Sequence, residues 1–293
     1  MKPFQLSYTA AEPILLREAL GGWGISKRTL ASVKYSGGQL LVNGKEVTVR
    51  HLLQKDDAVT VIFPNEELGK GLVAEAGHLT IVYEDEALLI VNKPKDQNTI
   101  PSREHPSGSL ANIVAHYFET EKIPATLHIA TRLDRDTSGL VCIAKNRHIH
   151  HMLSMQQQEK KMKRRYQALV HGKLPDSHFR ITAPIGRKST SIIEREVRSD
   201  GQFAETEIQV VNEYRNFSHL LVQLNTGRTH QIRVHLSHIG HPLLGDDLYG
   251  GKRDLIGRQA LHCAELDLIH PTTGMSLHFS SPLNEDMADL VQR

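Results

Sequence analysis

The 293-residue sequence holds two cysteines, Cys142 and Cys263, and no CxxC pair. That excludes a disulfide framework and fits a reducing cytoplasm, with both thiols buried as small hydrophobes. Long apolar runs are also missing. Stretches such as Ala87-Leu88-Leu89-Ile90-Val91 fall far short of the roughly 18 residues a membrane helix needs. The start, Met1-Lys2-Pro3-Phe4-Gln5, carries no apolar signal region, so neither export nor a membrane partner is expected. GxxxxGK(S/T), GxGxxG, HExxH and GxSxG are all absent. ATP use, dinucleotide binding and the common metalloprotease and serine-hydrolase chemistries thereby lose their best support. Aromatics make up only 5%, so extended base stacking along a single strand is a lesser theme.

What is present describes a globular chain. Hydrophobic residues form 39% and charged residues 23%, enough for one large domain or two unequal ones. The net charge of +2 is uninformative, but its distribution is not. Residues 132–165 hold nine Lys or Arg against three acids, whereas 61–90 hold six acids against one Lys. A basic region inside a neutral total marks either a phosphate-binding face or a solvated helix end, and charge alone favours the solvated end.

Residues 13–62 read as a small α/β module. Pro13 to Leu20 reads as the first turns of a helix, and Ser26 caps a second one. Gly37-Gly38 breaks that helix. Leu40 to Lys45 and Val47 to Val49 read as strands around an Asn43-Gly44 turn, and Ala58 to Ile62 as a last strand. Residues 63–78 read as a linker. Residues 79–293 alternate strands with fewer helices. Strands are expected at 79–83, 87–92, 139–144, 166–171, 205–212, 218–224, 260–268 and 275–279. Helices are expected at 109–119, 146–161, 228–239 and 285–291. Mostly consecutive strands predict an α+β class with a largely antiparallel mixed sheet rather than a doubly wound fold.

Eighteen histidines raise the question of a metal. On a helix, however, positions 230 and 235 lie about 140° apart, and only His235 and His238 share a face. No carboxylate with ligand spacing joins them, so no metal is expected. The densest polar cluster is Thr131-Arg132-Leu133-Asp134-Arg135-Asp136-Thr137-Ser138-Gly139, directly before the apolar run 140–144. It reads either as a site held on a buried strand or as a turn of paired surface charges.

That cluster resembles the active-site motif of the RluA-type pseudouridine synthases, Arg-Leu-Asp, two variable residues, Thr-Ser-Gly. Five further segments match the same family in order. They are Val91 to Pro94, Lys163 to Gly172, Thr226 to His235, His241 to Asp246 and Gln259 to His262. Together they span about 79 to 282. Residues 13–62 are more loosely similar to an RNA-binding module named after a ribosomal small-subunit protein, through Ser26 to Leu30 and Val42 to Lys45.

The resemblance implies isomerisation of uridine to pseudouridine in structured RNA, ribosomal or transfer, without any cofactor. It assigns the catalytic carboxylate to Asp134, with Asp136 at a variable position as the rival. It assigns the arginine that keeps this carboxylate ionised to Arg233, the pocket tyrosine to Tyr166, and the residue entering the space of the extruded base to Arg132. Lys160, Lys161, Lys163, Arg164 and Arg165 are expected to grip phosphates, as are Lys27, Arg28 and Lys34 of the small module. Two positions depart from the family: Thr131 stands where histidine is common, and Asp96 near where a glycine is usual. A cytoplasmic, monomeric RNA-modifying enzyme is the expected whole. A non-catalytic RNA-binding or ribosome-assembly factor is the alternative, disfavoured by the presence of Asp134, Tyr166 and Arg233 together.

Overall fold

A computed structural model describes residues 3–66, 69, 71–123 and 125–292. In the first part of the chain, short apolar stretches pair around a core of their own. The elements are β1 (Gln5–Thr9), β2 (Ile14–Leu15), α1 (Leu16–Gly22), α2 (Lys27–Tyr35), β3 (Gln39–Val42), β4 (Lys45–Glu46), β5 (Leu52–Leu53) and β6 (Ala58–Ile62). Their main sheet runs β1-β6-β3-β4, and β2 pairs with β5. Leu16, Leu20, Val33, Leu53, Val59 and Val61 are its buried centre. Ser26 does cap α2, accepting the Thr29 amide at 3.1 Å. The first helix begins later than Pro13, because Ile14 and Leu15 pair with Leu53 and Leu52 instead. Val47–Val49 is not a strand; β4 stops at Glu46 and Val47 and Val49 turn in against the core.

The rest of the described chain forms β7 (Ile81–Glu84), β8 (Leu88–Lys93), α3 (Leu110–Thr120), β9 (His128–Ile129), β10 (Ser138–Ala144), α4 (Arg147–Gln158), β11 (Lys163–His171), β12 (His178–Thr182), β13 (Ile185–Arg187), β14 (Arg195–Val197), β15 (Glu205–Glu213), β16 (Phe217–Leu224), α5 (Gln231–His238), β17 (Leu261–Ile269), β18 (Ser276–Ser280) and α6 (Glu285–Val291). The large sheet runs β12-β15-β16-β11-β17-β10-β8-β7, with β9 on β10 and β18 on β17. All of these neighbours are antiparallel except β10 and β17, so the mixed, mainly antiparallel α+β expectation holds. Every residue of β10 is buried, as a central strand covered on both faces requires. The edge strand β12 and the β13–β14 hairpin were not expected.

Two helices are shorter than their patterns predict. Helix α4 starts behind Asn146, which caps Ile149 at 2.9 Å, and ends before Lys160, whose φ of 57° is left-handed. Helix α5 starts at Gln231 rather than 228, because the side chain of Gln231 is spent on the preceding loop. Its oxygen accepts the Thr226 hydroxyl (2.8 Å) and the Arg228 amide (3.0 Å). Its nitrogen donates to Glu205 O and Thr206 Oγ1, both at 2.9 Å. Among the described residues, no helix is long and apolar enough to cross a membrane. Cys142 and Cys263 are free and buried, and burial pushes their thiols up to about 12 and about 11.

The segment expected as a linker is pinned to the larger sheet's helices where it is described; residues 67, 68 and 70 lie outside the described ones. Asn112 at the start of α3 donates to Val73 O (2.7 Å), and Glu75 accepts the Gly108 amide (2.7 Å). Glu66 accepts the Arg147 amide at 2.9 Å and lies 2.7 Å from His128 Nε2. Phe63 stacks on His148 of α4 at 5.0 Å, and Phe4 packs against both cores.

His148 is 1% exposed, and neither ring nitrogen has a partner among the described residues. Burial, helped by neighbouring His151, pushes it down from 6.5 to about 4. The unfolded chain therefore takes up this proton as pH falls through 6.5, while the folded chain resists until about 4. Stability from this group is full above 6.5 and drains away between those values. We expect the loss between pH 7 and 4.5 to be smaller in His148→Leu by between about 2 and 3 kcal/mol, read by urea unfolding at both pH values. Equal losses in both proteins contradict this.

Candidate active site

Asp134 sits on a loop whose position is dictated by the strand that follows it. Thr137 donates its amide to Asp134 O at 3.1 Å, closing a turn. The strand β10 then enters the sheet beside β17 with Ser138 opposite His262 and Gly139 opposite Cys263. Gly139 has φ 113°, and a Cβ there would lie 2.3 Å from Cys263 O, so only glycine allows this approach. The turn's other side chains are tied to the start of β17. Gln259 donates to Thr137 Oγ1 (3.0 Å), and Ser138 Oγ lies 2.9 Å from His262 Nδ1. The motif residues Thr137, Ser138, Gln259 and His262 thus act as fasteners for the loop bearing Asp134.

Arg233 reaches Asp134 from α5. Its Nη1 donates to Asp134 Oδ2 at 3.0 Å. The rest of the guanidinium is taken by Asp246, with Nε to Oδ2 at 2.7 Å and Nη2 to Oδ1 at 2.8 Å. Asp246 is 1% exposed and held in place by Gly245, where φ is 73° and a Cβ would lie 2.0 Å from Arg258 O. The face of Arg233 lies 4.9 Å over the ring of Tyr249. Burial acts to lower the Arg233 pKa, but the hydrogen bonds and charges of Asp246 and Asp134 raise it well above its ordinary value. The guanidinium is therefore a permanent charge locked between two carboxylates. Asp136, the rival carboxylate, accepts no hydrogen bond among the described residues; only its backbone oxygen is used, by Arg258 at 2.9 Å.

Tyr166 lies in the same row of the sheet, opposite Cys263 on the other flank of β17, where the pairing register shifts between Arg165 and Tyr166. It is 3% exposed, and burial pushes its hydroxyl far above the ordinary tyrosine value despite Arg164 nearby. Asp134, Tyr166 and Arg233 share one cleft of about 1380 Å³ with Arg132, Arg164 and Lys163. Arg132 is exposed there.

The basic run divides in two. Lys160, Lys163 and Arg164 line the cleft. Lys161 is paired with Glu159 at 2.7 Å, and Arg165 is held between Glu265 and Asp267, so these two are turned to carboxylates outside the cleft lining. Lys27, Arg28 and Lys34 lie on exposed positions of α2 with no carboxylate partner among the described residues.

Both departures from the family pattern have a structural use. Thr131 is buried, and its Oγ1 accepts the Cys142 amide at 2.9 Å, tying the loop to β10. Asp96 takes up the left-handed φ of 60° that a glycine would supply, and its carboxylate pairs with Arg135 across the cleft edge. His235, one of the clustered histidines, is a core residue between Thr206 Oγ1 and Ala183 O, both at 2.9 Å.

Three contributors escaped the sequence reading. Asp246 ends the family-like segment His241 to Asp246, which by itself implies no role for this carboxylate. Lys93 is fully buried under the loop and donates to Pro94 O (2.7 Å), Gln97 O (2.8 Å) and Arg135 O (3.0 Å). Burial pushes Lys93 down to about 7, while Asp136 and Asp134 pull it back up. Three carbonyl acceptors match the three N–H bonds of the ammonium, so the charged form is the one this geometry satisfies. Arg258, also buried, joins the same loop to α6 through Asp286, with both contacts at 2.8 Å. A basic residue beside an apolar run was the available signal for Lys93 and Arg258, without their partners; none pointed to Asp246.

Comparison with known proteins gives a consistent result. The family model for RNA pseudouridylate synthase matches residues 87–238. The chain is 48% identical over 277 residues to an uncharacterised RNA pseudouridine synthase, YjbO, of Bacillus subtilis, covering 94% of this chain and 98% of that protein. It is 35% identical over 290 residues to ribosomal large subunit pseudouridine synthase D of Pseudomonas aeruginosa, covering 94% of this chain and 86% of the other. Among solved structures, human RNA pseudouridylate synthase domain containing 1 aligns with a TM-score of 0.59 and 27% identity, over 78% of this chain and 96% of that one.

The Lys93 arrangement yields a prediction about the loop itself. Lys93→Met keeps an apolar stem and strands three carbonyls. We expect a loss on the order of 3 kcal/mol in denaturant unfolding. A change under 0.5 kcal/mol is what a surface substitution gives, and it would mean that the loop does not rest on this ammonium.

Proposed function

The chain belongs to the RNA pseudouridylate synthase family and isomerises uridine to pseudouridine in RNA, and from that premise we propose that Asp134 is the carboxylate that carries the reaction. The bond from uracil N1 to ribose C1′ breaks, the base turns, and C5 bonds to C1′. The C5 hydrogen leaves as a proton and N1 gains one, so nothing is added or lost. Positive charge grows at C1′ as the first bond breaks, and an ionised carboxylate beside it meets that charge. The observation that carries this reading is the 3.0 Å contact from Arg233 to Asp134 Oδ2, with Asp134 lining the cleft and its Oδ1 accepting no hydrogen bond among the described residues. Tyr166 forms the apolar wall against which the turned base packs, and its hydroxyl stays protonated. Arg132 fills the place the base vacates.

The same reading gives the RNA contacts. Lys160, Lys163 and Arg164 hold phosphates along the cleft; Lys161 and Arg165, tied to carboxylates, are left out of this set. Residues 13–62 act as an RNA-binding module, presenting Lys27, Arg28 and Lys34, and residues 79–293 carry the chemistry. Large-subunit ribosomal RNA is the proposed substrate, by likeness to the relatives that bear that name. A monomer in the cytoplasm is the proposed form; a ribosomal RNA target and two free cysteines support the cytoplasmic location.

Asp134→Asn keeps the shape and removes the charge. On in vitro transcribed large-subunit RNA we expect no detectable pseudouridine from this variant, with RNA affinity within a few-fold of the parent. Turnover by the purified variant at the parental rate contradicts the assignment. For the phosphate contacts, Lys160, Lys163 and Arg164 changed together to Gln should lower the slope of log affinity against log salt by roughly 0.7–0.9 per contact. The same holds for Lys27, Arg28 and Lys34. An unchanged slope means that those side chains face solvent in the complex.

A further inference from the structure

His230 stands beside Asp134 in the same cleft. It precedes α5 with φ 57° and ψ 19°, a left-handed conformation. A β-carbon makes that conformation costly, by about 1 kcal/mol or more, unless the surroundings enforce it. Here they do. Gln231 binds the loop on one side, and Tyr249 Oη lies 2.8 Å from His230 Nδ1 on the other. The strained backbone sends the ring into the cleft, where Nε2 stands 3.8 Å from Asp134 Oδ2.

The hydrogen-bond inventory fixes which nitrogen carries the proton. Tyr249 Oη accepts the Arg195 amide at 2.9 Å. Its own hydrogen has one acceptor within reach among the described residues, His230 Nδ1. The ring is then the tautomer with its hydrogen on Nε2. The charged groups around it are Asp134, Arg233, Arg195 and Asp246, and burial outweighs the carboxylates, so the ring resists protonation. A neutral N–H therefore faces the same carboxylate oxygen that Arg233 holds.

We propose that His230 is a positioning residue, a second donor to Asp134 Oδ2 whose tautomer is locked by Tyr249, so that Oδ1 is the oxygen that meets the substrate. This rests on Asp134 being the catalytic carboxylate. With RNA in the cleft, a small rotation of Asp134 closes the 3.8 Å gap to a hydrogen bond. A neutral donor orients the carboxylate without adding a second positive charge to compete with the one developing on the sugar.

Asparagine is the informative replacement, since it accepts a left-handed φ more readily than histidine but is too short to place a donor at the Nε2 position. Single-turnover rates at saturating RNA, RNA affinity and melting temperature are measured for His230→Asn, Tyr249→Phe and the double variant. His230→Asn should be about 10- to 100-fold slower, with affinity within twofold and no drop in melting temperature. Tyr249→Phe keeps the ring beneath Arg233 and removes the hydroxyl that locks His230 and accepts the Arg195 amide. It should be slower by a smaller factor and have no further effect in the double variant. A rate for His230→Asn within twofold of the parent overturns the proposal. So does a melting loss that accounts for the slower rate, or multiplicative effects in the double variant. Asp134→Asn on the same RNA separates the two claims: if it is active, the carboxylate assignment fails. If it is inactive while His230→Asn is fully active, only the role of His230 fails.

Discussion

Arg233 is a buried guanidinium with a carboxylate on either side, and much of the site's construction serves to hold it there. Burying one charge is expensive; burying it between two opposite charges in bidentate and single contacts makes the arrangement specific. Asp246 takes two of its donors from behind, at 2.7 and 2.8 Å, and the remaining edge faces Asp134 at 3.0 Å. Asp134 is therefore positioned by a group that is itself unable to move. The glycines at 139 and 245 exist for the same end. Each removes a Cβ that would lie within 2.3 Å of a backbone oxygen and push one carboxylate-bearing loop off its neighbour.

Beneath the loop, Lys93 and Arg258 perform a similar task with backbone carbonyls in place of carboxylates. Lys93 ties Pro94, Gln97 and Arg135 together, and Arg258 ties Asp136 to the C-terminal helix through Asp286. A polar loop at the end of a sheet is ordinarily among the mobile parts of a protein. Two buried cations make this one rigid. A rigid loop suits a reaction whose catalysis depends on where a single carboxylate stands when the base leaves the sugar.

Much of this was legible in the sequence because the fasteners are local. Thr137, Ser138 and Gly139 stand three to five residues after Asp134, and helix caps such as Ser26 and Asn146 act within three residues. The strands of the large sheet were legible from their apolar runs, since β8 and β10 are buried on nearly every residue. What was not legible depends on contacts between distant segments. Nothing in the order of residues says that Asp246 will turn back onto Arg233, or that Lys93 will lie under residue 135. The pattern through His230 continues that of helix α5, yet its left-handed backbone is set by contacts of Tyr249 and of the Gln231 side chain that the pattern does not show. Strand β12 was missed because an edge strand of five residues has a weak alternation and gains its pairing from β15. The docking of Phe63 and Glu66 onto α4 is likewise a contact between segments that the sequence shows only as a linker.

Asp246 is buried behind Arg233, outside the cleft lining, and acts on Asp134 only through that guanidinium. The decisive measurement is the single-turnover rate of uridine conversion by Asp246→Asn at saturating RNA, beside its RNA affinity. Loss of the rear carboxylate lets the guanidinium, and with it Asp134, shift from position. We expect a rate lower by about a hundredfold with affinity within a few-fold of the parent. A rate within twofold of the parent would contradict it, and would mean that Asp134 is held by something other than this buried charge triad.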